Sequence, residues 1–253
     1  MFRAIHISDL HNKKECEPKL AYIKDHFPRH HIIVTGDITD DGEPGQYLWA
    51  MRELVKRFRD KLFIVPGNHD YAGLGNLDSK DKMERFDDYF GTRFSQVAGP
   101  WWKRHDNVLL IGLDSNPRTW LWPGDFARGK IGKEQRKNLK LLLDVASADH
   151  IFICLHHHLK DPSAVGWWTK LVHKLSKELM ELEDSKKVCR LLSTYKHITV
   201  LHGHRHSQYE YSGEYAVKVF CAGALFKEDN VLKLEVDRGG SVEYSLVPVV
   251  KKG

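Results

Sequence analysis

Five times in this chain of 253 residues an apolar run stops at side chains that bind metal ions or move protons. The runs end at Asp9 and His11, at Asp37, at Asn68 and His69, at His156, and at His204 and His206. Each has a plain explanation when taken alone. Asp9 or Asp37 can cap a helix, and histidines two residues apart can sit on a loop. The five together are harder to dismiss, because in open α/β sheets active sites form outside the carboxyl ends of the strands. The donors are carboxylate and amide oxygens with imidazole nitrogens, and no thiolate. That set suits manganese, iron or zinc in a catalytic setting rather than a structural thiolate site. Seven or eight donors are too many for one tetrahedral ion; they suit two ions roughly 3.5–4 Å apart that share a bridging carboxylate.

The elements that must position these residues follow from the hydrophobic pattern. Residues 2–8, 30–35 and 62–65 read as strands, separated by helices over 17–27 and 45–59. Leu20, Ile23 and Phe27 mark the buried face of the first helix, and Leu48, Met51, Leu54, Val55 and Phe58 that of the second. Strands alternating with helices of 10–15 residues predict βαβ units with right-handed crossovers. Further on, 81–90 reads as helix, 101–102 and 108–113 as strands, and 132–146 as a helix burying Leu139, Leu142, Leu143 and Val145. Strands follow at 151–155 and 198–201. Between them, 167–195 is helical with a stripe of Trp168, Leu171, Val172, Leu175, Leu179 and Leu182. The tail, with runs at 215–220, 230–236 and 242–249, reads as antiparallel strands and hairpins.

Composition bounds the answer further. Hydrophobic residues make up 42% of the chain and charged residues 29%, as in a globular protein with one sizeable core. No apolar run reaches the roughly 20 residues that cross a bilayer, and the first residues read as a strand rather than a signal peptide. No membrane role and a cytoplasmic location are the expectations. Cys16, Cys154, Cys189 and Cys221 show no CxxC spacing and fit reduced thiols. A net charge of +5 suits an anionic substrate but falls short of a dedicated nucleic-acid binder.

The ordered series Asp9-x-His11, Gly36-Asp37, Gly67-Asn68-His69-Asp70, His156 and Gly203-His204-x-His206 resembles the calcineurin-like metallophosphoesterase family over residues 3–206. The resemblance implies an α/β fold, a four-layer α/β/β/α sandwich of two mixed sheets flanked by helices. It implies Asp9, His11 and His206 on one metal, Asn68, His156 and His204 on the other, and Asp37 bridging both. His69 becomes the general acid, with Asp70 holding its ring, and a metal-bridging hydroxide becomes the nucleophile. His156 is chosen over His157 and His158 because it directly follows the strand.

Within that family, Asp41 stands where Ser/Thr protein phosphatases carry arginine, and Asp70 where they carry glutamate. The chain therefore looks more like the branch of cyclic-nucleotide and glycerophosphodiester phosphodiesterases, which Gly112-Leu113-Asp114-Ser115 also resembles. Lipid-A-pathway pyrophosphatases place arginine at the position of His69. The expectation is a single domain over 1–253, with 167–195 as a helical insert or lid and 215–250 as second-sheet strands. Its substrate would be a small or nucleotide-type phosphodiester, its cofactors two metal ions. Trp120, Trp122, Trp167 and Trp168 are aromatic specificity candidates, and Arg118 and Arg205 candidate phosphate contacts. The rivals are a phosphomonoesterase or protein phosphatase, a nuclease of the same superfamily, and a scaffold without catalysis. Nucleic acid as a partner is not favoured.

Overall fold

A computed structural model describes residues 1–71, 84–91, 100–116, 128–159, 182–212 and 217–250. Strands β1 (Phe2–Ile7), β2 (His31–Thr35) and β3 (Leu62–Val65) are parallel neighbours, in register at Ile7 with Val34 and Thr35 with Val65. Helices α1 (Cys16–His26) and α2 (Pro44–Ala50) make the crossovers between them. After α2 the chain continues through a π-turn, Met51–Val55, into α3 (Lys56–Phe58). The buried face here is Tyr47, Ala50, Leu54 and Phe58 rather than one beginning at Leu48, which is 61% exposed. Tyr47 is the better inward residue because its ring packs in the core while its hydroxyl donates to the Asp70 carbonyl at 2.6 Å. The short α4 (Asn68–Tyr71) leaves β3 at once.

The second half repeats the logic. Strand β4 (Trp101–His105) pairs antiparallel with β5 (Val108–Gly112), which lies parallel to β6 (His150–Cys154), itself parallel to β7 (Ile198–His202). Helix α5 (Lys133–Val145) buries Leu139 and Leu143, whereas Val145 at its end is 78% exposed. Of the expected helix over 167–195, the part before 182 lies outside the described residues. Leu182 sits in a bridge to Gly129, and α6 (Ser185–Leu192) follows.

The tail departs from expectation. Strand β8 (Gln208–Ser212) precedes β9 (Lys218–Ala222), and β9 lies parallel to β7. β10 (Asn230–Val236) and β11 (Val242–Pro248) form a hairpin that adds to the other sheet, β10 running antiparallel to β1. The expected second-sheet tail is thus divided between the sheets, whose orders are β11-β10-β1-β2-β3 and β4-β5-β6-β7-β9-β8. Strand patterning carries the alternation of side chains but not the direction of the neighbour.

Both sheets are covered on both faces. One core packs α1 and α2 on the outer face of the first sheet, around Ile5, Ile32, Val34 and Ile64. A second packs α5 and α6 on the other sheet around Ile111, Ile153 and Val200. A third, with Ile33, Phe63, Leu110, Phe152, Leu201 and Phe220, fills the space between. The result is the four-layer α/β/β/α sandwich, and the parallel strands of both sheets bring their carboxyl ends to one rim.

Between the sheets, far from that rim, His150 Nε2 lies 3.0 Å from Thr199 Oγ1, which lies 2.8 Å from the Tyr244 hydroxyl. Burial, helped by the nearby His197, pulls the His150 pKa from 6.5 to about 4. Folding therefore excludes a proton that the unfolded chain accepts. The contribution is intact above the ordinary histidine value and is lost as pH falls toward the folded one. Allowing for its partial burial, the loss between pH 7 and pH 4 is about 2 kcal/mol. His150→Asn should flatten that part of the stability curve in urea unfolding; an unchanged slope would show that His150 is not its source.

Candidate metal centre

The rim is shaped by backbone that only strong local bonding holds. Asp9, His11, Asp37, His204 and His206 all have positive φ, between 48° and 71°. Such conformations cost of order 1 kcal/mol or more apiece for residues with a Cβ, and they persist where surroundings dictate them. Here the Asp9 amide donates to the Gly36 carbonyl, that of His11 to Asp37, and that of Asn12 to Ile38. These bonds lock the turn after β1 onto the turn after β2.

Across the rim, the His204 amide donates to the Asp9 carboxylate at 3.0–3.1 Å, and the His69 amide to Asp37 Oδ1 at 2.9 Å. Glycine is required where the turns meet. A Cβ on Gly203 would come within 1.9 Å of Ser8 Oγ and 2.5 Å of Asp9 Oδ2; one on Gly67 would come within 2.2 Å of Asp37 Oδ1.

These turns bring together Asp9, His11, Asp37, Asn68, His156, His204 and His206. One group has donor atoms of Asp9, His11, Asp37 and His206 within 4.8 Å of one another, and a second has those of Asp37, His156 and His204. Asp37 belongs to both. In the first group His11 Nε2 lies 3.0 Å from His206 Nε2 and 3.6 Å from Asp37 Oδ2, and His206 Nε2 lies 3.2 Å from Asp9 Oδ1. In the second, His156 Nε2 is 3.2 Å from Asp37 Oδ2, 3.2 Å from His204 Nδ1 and 3.1 Å from Asn68 Oδ1.

The outward nitrogens fix the inward ones. His156 Nδ1–H donates to the Thr35 carbonyl at 2.7 Å, so Nε2 turns its lone pair inward. His11 Nδ1–H donates to Asp40 Oδ1 at 3.1 Å, with the same effect. Lone pairs and carboxylate oxygens aimed at one another repel unless a proton or a cation lies between them. The donor set fits two metal ions on that ground. A proton on His156 meets part of the same need. Burial alone would lower His156, but the Asp37 charge and hydrogen bond, then Asp9, raise it to about 9. Asp37, which burial would raise, is held well below the carboxylate range by His156, and then by His69 and His11. Asp9 is likewise held low against burial, chiefly by its hydrogen bond with His206.

Of the three consecutive histidines, His156 alone puts a ring nitrogen into either donor group. His157 turns Nδ1 to Ser115 Oγ at 2.8 Å, and burial pulls its pKa well below the usual value. Ser115 also accepts the amides of His156 and His157, at 3.3 and 3.2 Å, and so holds the turn after β6. Its place in the Gly112-Leu113-Asp114-Ser115 run was the only signal for it.

Asp70 does not do what its position suggests. Its Oδ1 accepts the amides of Ile38 and Thr39 and the Thr39 hydroxyl, and its Oδ2 accepts the Gly67 amide. The carboxylate therefore stitches the turn after β2 to the turn after β3. Burial, with the charge of Asp37 next, raises it to about 6. The ring of His69 is oriented instead by the Asp40 carbonyl, 2.5 Å from Nδ1, and it stands edge-on to His11 at 4.7 Å between centroids. Asp40 thus steadies both His11 and His69, a double role that no local pattern announces. Trp120, Trp122, Trp167, Trp168 and Arg118 lie outside the described residues; Arg205 lies half-buried between His204 and His206.

A family model described as calcineurin-like phosphoesterase matches residues 2–208. The chain belongs to the calcineurin-like phosphoesterase family. Its membership makes it a metal-dependent phosphoric ester hydrolase. It is 23% identical over 204 residues to a protein of Vesicomyosocius okutanii described as a probable cyclic nucleotide phosphodiesterase, covering 80% of this chain and 73% of that one. A 3′,5′-cyclic adenosine monophosphate phosphodiesterase of Haemophilus influenzae is 24% identical, covering 78% of this chain and 63% of its own length. Among solved structures, a dimetal phosphatase from Danio rerio superposes with a TM-score of 0.60 at 12% identity, covering 98% of this chain and 96% of that one. A purple acid phosphatase from yellow lupin gives 0.66 at 13% identity, covering 97% and 51%. These structural likenesses extend the calcineurin-like phosphoesterase fold to nearly the whole chain. Among the described residues, no helix is long and apolar enough to cross a membrane.

Proposed function

We propose that this chain is a two-metal phosphodiesterase acting on a small or nucleotide-type diester. The observation that carries the reading is the pair of donor groups meeting at one carboxylate, Asp37. Asp9, His11, Asp37 and His206 would hold one ion; Asp37, Asn68, His156 and His204 would hold the other. Bound there, the ions would supply an activated water and neutralise charge on the phosphoryl oxygens. The chain's own residues do the rest. Asp40 and Thr35 hold the ring tautomers of His11 and His156 so that their lone pairs point inward. Asp70 keeps the two turns in register. His69, half-exposed at the edge of the cluster, gives a proton to the departing ester oxygen. Asp41 and Asp70, standing where protein phosphatases carry arginine and glutamate, favour the diester branch, as do the named activities of both relatives. A single catalytic domain, reduced thiols and a cytoplasmic setting belong to the same reading.

The test uses protein stripped of metal with a chelator and reloaded with Mn²⁺. Hydrolysis of bis(p-nitrophenyl) phosphate and of 3′,5′-cyclic AMP is compared with that of p-nitrophenyl phosphate. Metal-dependent turnover with the diesters at least about tenfold ahead in kcat/KM is expected, a gap of about 1.4 kcal/mol in transition-state binding. A faster monoester reaction would move the chain to the phosphatase branch, and none in any arm would make it a scaffold.

A further inference from the structure

One turn beside the metal centre has no part in the reading above. It lies between β9 and β10, at Ala224–Glu228, and it is built rather than slack. The Leu225 amide donates to the Ser8 carbonyl at 3.0 Å, next door to Asp9, and the amides of Lys227 and Glu228 donate back to Ala224. Beneath it Lys19 of α1 is buried, and its ammonium donates to the carbonyls of Leu225 at 3.0 Å and Glu228 at 2.8 Å. Among the described residues its one carboxylate partner, Asp229, is 3.5 Å away and exposed. Burying an ammonium is costly unless it is hydrogen-bonded, so spending one on two carbonyls marks a turn whose position matters.

What the turn presents is an aromatic ring and a cation. Phe226 is half-buried and stands edge-on to both His11 and His206, each at 5.9 Å between centroids. Those are the two imidazoles of one donor group. Lys227 is exposed, with Nζ 5.2 Å from the Phe226 centroid. Among the described residues no carboxylate pairs with Lys227. A cation parked on the aromatic ring that abuts His11 and His206, and left without a carboxylate among the described residues, is available to an anion.

The geometry points to Phe226 and Lys227 as the substrate-recognition lip of this site. Phe226 packs against the ester arm that lies on the His11 and His206 side, and Lys227 binds an anionic group carried by that arm. The substrate class is then a phosphodiester whose ester arm carries a second anionic group, such as a further phosphate, close to the scissile phosphorus. Lys19 is the positioning residue that holds the lip. The inference rests on the phosphoesterase reading of the centre, and it names which esters that centre prefers.

Inorganic pyrophosphate and orthophosphate, used as competitive inhibitors of the Mn²⁺-loaded protein and as titrants in calorimetry, separate the lip from the centre. Both anions can occupy the centre, but only pyrophosphate has a second phosphoryl group to reach Lys227. Lys227→Ala should weaken pyrophosphate about tenfold relative to orthophosphate, Lys227→Glu more so, and Lys227→Arg little. Half-molar salt should shrink the wild-type preference, since the contact is exposed. Lys24→Ala, which removes a charge from the exposed end of α1, should leave the ratio alone. Phe226→Ala and Lys19→Met should lower the same ratio while both metals stay bound. An unchanged ratio in Lys227→Glu, an equal change in Lys24→Ala, or metal loss from Phe226→Ala would overturn the assignment. Failure of the wild-type protein to hydrolyse any ester would overturn the underlying reading instead, and would be seen before any variant is made.

Discussion

On the two-metal reading, Asp37→Asn will cost the protein its metals and at least about three orders of magnitude in kcat/KM, because a bridging carboxylate would serve both ions at once. The substitution keeps the shape of the side chain and an oxygen for the His69 amide, which Asp37 Oδ1 now accepts at 2.9 Å. What it removes is the charge, which both ions need and which, once they are gone, is the chief reason for His156 to carry a proton. Without Asp37 the largest influence that raises His156 is gone, and burial, which favours the neutral ring, is opposed only by Asp9 and the Thr35 carbonyl. A buried ion pair broken from one side usually leaves an uncompensated charge, but here that charge can leave as a proton. Asp37→Asn should therefore stay folded, with a circular dichroism spectrum like that of the parent. Metal analysis after gel filtration should find fewer than one ion per chain, against two in the parent. Full metal content with full activity would mean that Asp37 does not join the two donor groups.

Much of this architecture could be read from the chain because burial on both faces leaves a strong mark. Parallel strands covered by helices appear as continuous apolar runs, and Ile32-Ile33-Val34 and Ile151-Phe152-Ile153 are of that kind. Their ends carry the ligand-type residues for the same reason that they are ends: the backbone turns away from the sheet at the rim. Hence the six side chains of the two donor groups, and Asn68 beside them, stand out from pattern and resemblance as residues that meet at the rim. The tail was less legible. β9 and β10 have similar alternation, yet β9 lies parallel to β7 and β10 antiparallel to β1. Direction is decided by where the intervening chain can run, and sequence pattern does not carry that.

Side-chain partners were the hardest to read, because they depend on turns remote in sequence. Asp70 follows His69 directly, which suggested that it holds the ring. In the fold its carboxylate faces amides some 31–32 residues earlier, and it is Asp40 that reaches His69 and His11. Leu48 failed for a more local reason. A leucine and a tyrosine one position apart compete for the same inward slot, and Tyr47 wins by packing its ring and satisfying its hydroxyl together. Phe226 carried no signal at all, since one phenylalanine in a hairpin-rich tail is ordinary. Only the approach of β9 to β7 brings the turn after β9 beside His206.

His69→Ala should leave both metals in place and slow turnover by about two to four orders of magnitude, the usual range for loss of a general acid. The prediction follows from where the ring is held. Its backbone amide is tied to Asp37 Oδ1, and its Nδ1–H is tied to the Asp40 carbonyl. A carbonyl can only accept, so Nδ1 is committed as a donor and Nε2 is the nitrogen that can give up a proton. The ring can therefore serve as an acid only when both nitrogens are protonated. Its donor nitrogen clusters with donor atoms of His11 and Asp40, at the edge of the site, and enters neither group that contains Asp37. Removing the ring should accordingly matter most where the departing oxygen needs a proton most. Turnover of bis(p-nitrophenyl) phosphate, whose leaving group departs readily, should fall least, and that of alkyl or nucleoside esters should fall most. Plotting log kcat against leaving-group pKa should give a steeper line for the variant than for the parent. Parallel lines would remove His69 from the protonation step, and loss of metal would make it a ligand instead. A parallel result with both metals retained would leave His69 a part in binding, which a rise in KM without a change in slope would confirm.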